Sequence, residues 1–264
     1  MKLPISIVDA FTRERFGGNP AAVVVLAEWL SREQMQAIAT ENNLSETAFL
    51  LREPDGAFAI RWFSPFTEIS FCGHATLASA HVIAEQALAP FPIVVRAAAV
   101  GELYVARNQD GAGFEMNFPN RREQPVETAP QALLDGLSIA PQQVLRNEQA
   151  WIVVYAEESQ VREVVPDLER LKTLAPLDVA VTAPGEQHDF VSRYFWPANG
   201  GTEDPVTGSI HTALAPYWAE RLGRNELIAL QASTRSGLLR CRVDGERVHI
   251  AGDTVQYLQG QIEI

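Results

Sequence analysis

Three stretches of this chain hold residue types that do chemistry when they are brought together. The first is Cys72-Gly73-His74. A glycine at a helix start lets backbone N–H groups approach a ligand closely, and a helix N-terminus attracts anions. His74 can give or take a proton near neutral pH. Alone, the segment reads equally as a tight turn followed by a satisfied helix-end histidine. The second stretch is Gly201-Thr202-Glu203-Asp204-Pro205-Val206, which runs into Thr207-Gly208-Ser209 and a second glycine before a helix. Its two carboxylates either stabilise the helix dipole or supply an acid or hydrogen-bond acceptor to a ligand. The third is Glu46, which opens the apolar run Glu46-Thr47-Ala48-Phe49-Leu50-Leu51. Burial favours the neutral form of a carboxyl group, as a residue that takes and returns a proton requires. An exposed strand-end glutamate is the plainer alternative.

Cys72 at a helix start would be a reactive thiol. A two-thiol racemase needs a second cysteine at the matching place in the other half of the chain, and that place holds Thr207. Cys241 lies in a strand-like run and reads as a small buried hydrophobe. Two cysteines and five scattered histidines give no metal-ligand spacing. No Walker A loop, strand-borne G-x-G-x-x-G or H-E-x-x-H occurs. A metal site is not expected.

The elements that position these residues repeat. Arg61-Trp62-Phe63-Ser64-Pro65 and Arg193-Tyr194-Phe195-Trp196-Pro197 lie 132 positions apart, and Gly73 and Gly208 lie 135 apart. Each aromatic run reads as a buried strand stopped by proline. A polar loop and a helix follow each, and then two strand-like runs: Ile93 to Ala97 with Glu102 to Arg107, and Leu227 to Ala232 with Leu238 to Val243. Further strands are expected at Ile5 to Ala10, Ala21 to Ala27, Glu46 to Leu51 and Phe58 to Phe63. Ser31 to Asn42 reads as a helix with Ser31 and Gln34 as its capping box. Ala75 to Gln86 and Ile210 to Leu222 read as the longer helices. Pro216 should kink the second or break its hydrogen-bond ladder there, and Gly223 should stop it. The predicted fold is α/β (α+β), with two halves that each wrap a curved sheet around one helix. They span 1–120 and 121–264, with the site in the cleft between them. Arg121 to Pro130, rich in Pro, Glu and Gln, is the linker candidate.

Composition bounds the partners. Lys and Arg total 21 against 33 Asp and Glu, a net charge of −12. Such a chain lacks the cationic field that nucleic acid or an anionic membrane attracts. Its apolar runs are strand-length, and the N-terminus has no signal-peptide core. A cytoplasmic protein acting on a small molecule is expected.

Five ordered motifs then carry a family resemblance. They are Val8-Asp9-Ala10-Phe11-Thr12; Phe16-Gly17-Gly18-Asn19-Pro20-Ala21-Ala22-Val23; Asn43-Leu44-Ser45-Glu46-Thr47-Ala48-Phe49; Cys72-Gly73-His74-Ala75-Thr76-Leu77; and Glu203-Asp204-Pro205-Val206-Thr207-Gly208-Ser209 with His211. Together they resemble the phenazine-biosynthesis PhzF-like isomerases, which share the diaminopimelate epimerase fold. The resemblance implies two pseudo-symmetric halves, a homodimer and a cofactor-free reaction. In the phenazine-pathway member a glutamate moves a proton between carbons of a dihydro-hydroxyanthranilate, and the product tautomerises to a ketone. That glutamate falls on Glu46, and the further polar site residues fall on His74, Asp204 and Ser209. Asn19, Gly73 and Gly208 are expected to contact substrate. Ile210 and Ser64 depart from the common alanine and threonine. The expected activity is a proton shift within a small carboxylate-bearing substrate. An amino-acid racemase or epimerase, or a non-catalytic binding protein of the same fold, are the alternatives.

Overall fold

The computed structural model describes residues 1–108 and 113–264. The chain forms two compact units, Met1–Asn117 with Ala251–Ile264, and Phe118–Ile250. No described helix is long and apolar enough to cross a membrane.

The first unit contains β1 (Lys2–Ala10), β2 (Asn19–Leu26), α1 (Arg32–Asn42), β3 (Glu46–Arg52), β4 (Phe58–Phe63), β5 (Glu68–Ile69), α2 (Gly73–Glu85), β6 (Ile93–Ala97), β7 (Gly101–Arg107) and β8 (Gly113–Pro119). Strand β1 pairs antiparallel with β2, β2 parallel with β3, β3 antiparallel with β4 and β4 parallel with β6. Strands β6, β7 and β8 continue antiparallel. The last strand of the chain, running to Glu263, pairs with both β8 and β1 and closes an eight-stranded barrel. Closure leaves this sheet no edge to protect.

Helix α2 is buried on almost every side, with ten of its 13 residues inside. A helix apolar all round belongs in a core, and its many small side chains suit a helix wrapped by strands. Its hydroxyls remain satisfied: Thr76 Oγ1 donates to Cys72 O at 2.6 Å and Ser79 Oγ to Ala75 O at 2.7 Å. Helix α1 has the expected capping box, with Ser31 Oγ accepting Gln34 N–H and Gln34 Oε1 accepting Ser31 N–H.

The second unit repeats the plan. It contains β9 (Gln124–Pro125), α3 (Gln131–Asp135), β10 (Gln143–Arg146), β11 (Ala150–Val154), α4 (Glu158–Glu163), α5 (Leu168–Lys172), β12 (Asp178–Pro184), β13 (Phe190–Phe195), β14 (Glu203–Asp204), α6 (His211–Leu222), β15 (Glu226–Gln231), β16 (Gly237–Asp244) and the start of β17 (Arg247–Glu263). Pairing runs β10–β11 antiparallel, β11–β12 parallel, β12–β13 antiparallel, β13–β15 parallel and β15–β16 antiparallel. This is the order of orientations from β1 to β7. An ion pair recurs as well. Arg61 Nε and Nη2 donate to the two oxygens of Glu68 at 2.6 and 2.8 Å, and Arg193 Nε and Nη2 to those of Glu203 at 2.7 and 3.0 Å. Glu203 is therefore a structural anchor rather than a free carboxylate.

Two expectations are corrected here. Residues 121–264 are not one unit: β17 pairs with β1 from Thr254 to Glu263, which returns Ala251–Ile264 to the first unit. The linker candidate lies inside the second unit, where Gln124 and Pro125 pair with Arg146 and Leu145. As expected, the hydrogen-bond ladder of α6 is broken at Pro216, and the helix nevertheless continues through it. Proline has no N–H for the carbonyl four residues back, Thr212 O, and the backbone N–H of Arg121 supplies that bond at 3.2 Å. The freed carbonyl is thus satisfied from outside the helix.

Candidate active site

In the first unit the starts of two adjacent parallel strands and one helix deliver the chemistry. Glu46 opens β3 directly opposite Ala21 of β2, two residues beyond Asn19. Cys72 is the N-cap of α2, and His74 lies in its first turn. Glu46, His74, Cys72 and Asn19 are all buried, Asn19 completely. Asn19 Nδ2 lies 3.1 Å from His74 Nδ1, and His74 Nε2 lies 2.9 Å from Glu46 Oε2. With the Asn19 amide donating, Nδ1 accepts and His74 presents its N–H to the carboxylate. The Cys72 thiol points at the same oxygen from 3.5 Å.

One carboxylate oxygen is therefore held by two donors. Glu46 Oε1 has no partner among the described residues, and the side chain keeps 11% of its surface exposed. A carboxylate held through one oxygen leaves the other able to accept a proton. Cys72 makes no side-chain cap bond, and the first turn of α2 carries no acidic residue. A Cβ at Gly73 would meet Phe71 and Met116 only at ordinary contact, 3.7 to 3.9 Å. The protein walls alone do not demand glycine there. Asn19, expected to contact substrate, instead has no exposed surface and orients His74.

The second unit holds the other expected residues. Asp204, in β14, accepts from Thr207 Oγ1 at 2.5 Å. Gln231 braces this turn: its Oε1 accepts Thr207 N–H at 2.8 Å, and its Nε2 donates to Asp204 O at 2.9 Å. Helix α6 begins at His211, so Gly208 precedes it by three residues instead of opening it. Ser209 Oγ accepts from Gln149 Nε2 at 2.9 Å, and the same nitrogen donates to the Tyr194 hydroxyl oxygen at 2.9 Å. Tyr194 in turn donates to Asp178 Oδ2 at 2.8 Å, and Asn199 Nδ2 donates to Asp178 Oδ1 at 2.8 Å.

Direction follows from the end of this chain of bonds. An ionised carboxylate only accepts, so Tyr194 must donate to it and accept from Gln149, and Ser209 must then accept from Gln149 as well. The Ser209 hydroxyl hydrogen has no acceptor among the described residues and is free to donate to a ligand. Burial raises the pKa of Asp178, with the bonds from Tyr194 and Asn199 opposing. Burial, reinforced by Asp178, also holds Tyr194 well above its ordinary value.

Tyr194 lies in the repeated aromatic run, whereas Asp178 and Gln149 belong to no motif, yet the repeat locates Asp178. Ala21 faces Glu46 and Thr47 faces Phe63; Ala150 faces Asp178 and Val179 faces Phe195. Asp178 is the counterpart of Glu46 at the aromatic-strand offset of 132.

His211 is fully buried, and its Nδ1 lies 2.9 Å from Thr207 O, to which it donates. Burial lowers its pKa to about 4 against 6.5 for a free histidine. The unfolded chain therefore binds the extra proton as pH falls below 6.5, and stability declines toward pH 4. The expected loss is about 2 kcal/mol between pH 7 and pH 5. Urea midpoints across that range check it. His211→Asn, which still donates an N–H, should flatten the slope, and equal slopes would count against the assignment.

The phenazine biosynthesis-like protein family model matches residues 8–260. A Pseudomonas aeruginosa protein named an uncharacterized isomerase is 47% identical over 264 residues, covering 100% of both chains. A crystal structure of a phenazine biosynthesis protein of the PhzF family from Enterococcus faecalis superposes with a TM-score of 0.94 at 39% identity, covering 100% of both chains. A hydroxyproline epimerase from Agrobacterium vitis shares the fold alone, with a TM-score of 0.63 at 10% identity over 99% of this chain and 92% of that one.

Proposed function

Since the chain belongs to the phenazine biosynthesis-like, or PhzF, family, we propose that it is an isomerase in which Glu46 takes a proton from one carbon of a small carboxylate-bearing substrate and returns it to another. The observation that carries this reading is the held carboxylate. His74 and Cys72 engage Glu46 Oε2, and Oε1 is left for the migrating proton. The proton leaves and rejoins the same substrate, so the scheme involves no net oxidation or reduction. His74 orients the substrate. The helix start at Gly73 suits its carboxylate. A dihydro-hydroxyanthranilate is the first compound to test, followed by cyclic and acyclic amino acids. Incorporation of solvent deuterium at a substrate carbon separates catalysis from binding alone.

A two-thiol epimerase is the competing scheme, and one observation weighs against it. Thr207, at the place of a second thiol, donates its hydroxyl to Asp204 instead. Cys72→Ser should consequently lose far less turnover than the ~10²-fold that removal of a general base costs. A loss of that size, measured on any compound the protein isomerises, would favour thiol chemistry.

A further inference from the structure

We propose that Glu46, Cys72 and His74 also form a binding site for one thiophilic divalent cation of the zinc class. The three donor atoms come from the start of β3, the N-cap of α2 and its first turn, and all lie within 4.8 Å of one another. A tetrahedral zinc ion with bonds of about 2.0–2.3 Å places its ligands about 3.3–3.7 Å apart. Here Cys72 Sγ lies 3.5 Å from Glu46 Oε2 and 3.8 Å from His74 Nε2. The third edge, His74 Nε2 to Glu46 Oε2, is 2.9 Å and must open by a few tenths of an ångström. Such an opening is small, and it is made with Asn19 still beside His74 Nδ1 at 3.1 Å and the Cys72 sulfur still beside Glu46 Oε2 at 3.5 Å.

The donor set selects the ion. Sulfur, imidazole and one carboxylate match zinc and its neighbours, whereas magnesium and calcium require oxygen shells. Three protein ligands leave a fourth position for water or a substrate carboxylate. A ligating histidine is usually fixed through its other nitrogen, and Asn19 lies 3.1 Å from His74 Nδ1. On binding, the thiol proton leaves to solvent, and the histidine hydrogen moves from Nε2 to Nδ1. The Asn19 amide turns its oxygen to accept it there. One proton is released per ion, so affinity rises with pH. An ion held at Glu46 Oε2 takes that carboxylate out of proton transfer, and the cation acts as an inhibitor. Spacing alone hides this site, because the ligands at 46, 72 and 74 meet only once β3 and α2 are folded.

The test uses the full chain, stripped with a chelator and titrated with cobalt(II) and then zinc(II). The expected results are one ion per chain, a thiolate-to-cobalt charge-transfer band and one proton released per ion. Cys72→Ser should lose the band and bind zinc about tenfold or more weakly, and Cys241→Ala should keep both. Far-UV circular dichroism establishes that each variant is folded. Wild-type turnover should fall with the first equivalent and return with chelator. No band in the wild type, or a band that survives Cys72→Ser, overturns the site. Turnover indifferent to a bound ion overturns the inhibition. Neither result bears on the isomerase reading, which solvent exchange tests separately.

Discussion

Glu46→Gln should bind substrate as the wild type does, with turnover lower by ~10²-fold or more. Glutamine keeps the size of the side chain, and its carbonyl oxygen can still accept from His74 Nε2, now 2.9 Å from the carboxylate. The buried setting of the cluster is therefore kept. What is lost is the capacity of the second oxygen to take a proton and give it back. Binding and turnover must be followed on the same compound, because only their divergence isolates a proton-transfer role. Parallel losses in both would mean that the variant disturbs the pocket.

The largest stability effect is expected at Arg193. Its guanidinium holds both oxygens of Glu203 and also donates through Nη1 to the carbonyls of Val161, Arg162 and Val164, at 3.2, 3.3 and 2.8 Å. Those carbonyls close the C-terminal end of α4, which contributes to the second unit's core through Val161 and Val164. The side chain is only 13% exposed. Arg193→Met should cost about 3 kcal/mol, because it strands a partly buried carboxylate and three carbonyls together. Its counterpart Arg61 is 30% exposed, and Glu68 keeps a second cation in Arg32 at 3.1 Å. Arg61→Met should cost only about 1 kcal/mol. Urea denaturation of the two variants gives the comparison, and equal losses would contradict it. Glu203 adjoins Asp204, so the Arg193 variant should also impair turnover.

Much of this architecture was legible where periodicity and punctuation agree. Phe58–Phe63 and Ile93–Ala97 form strands at the expected residues, and Ser31 with Gln34 caps α1 as read. The aromatic-proline echo reported a true duplication, visible in matching strand orientations and in the paired arginines. The return of the C-terminal strand to β1 was not legible, because it joins residues some 250 positions apart that carry no local mark. The break at Pro216 was legible, but its repair was not, because the donor that satisfies the freed carbonyl, Arg121, is remote in sequence. Glu46 and His74 come from separate motifs and lie 2.9 Å apart. The bonds from Asp178 through Tyr194 and Gln149 to Ser209 join two strands and two turns that no single motif spans. Only the repeat offset could have exposed Asp178.

The central claim is that one buried carboxylate carries the proton from carbon to carbon. It is tested most directly with a substrate deuterated at the donor carbon, isomerised in ordinary water for less than one turnover. A single base that returns what it took should leave a measurable fraction of the deuterium on the acceptor carbon of the product, read by mass spectrometry. Complete replacement by solvent hydrogen within the first turnover would contradict the account and point to separate groups removing and delivering the proton.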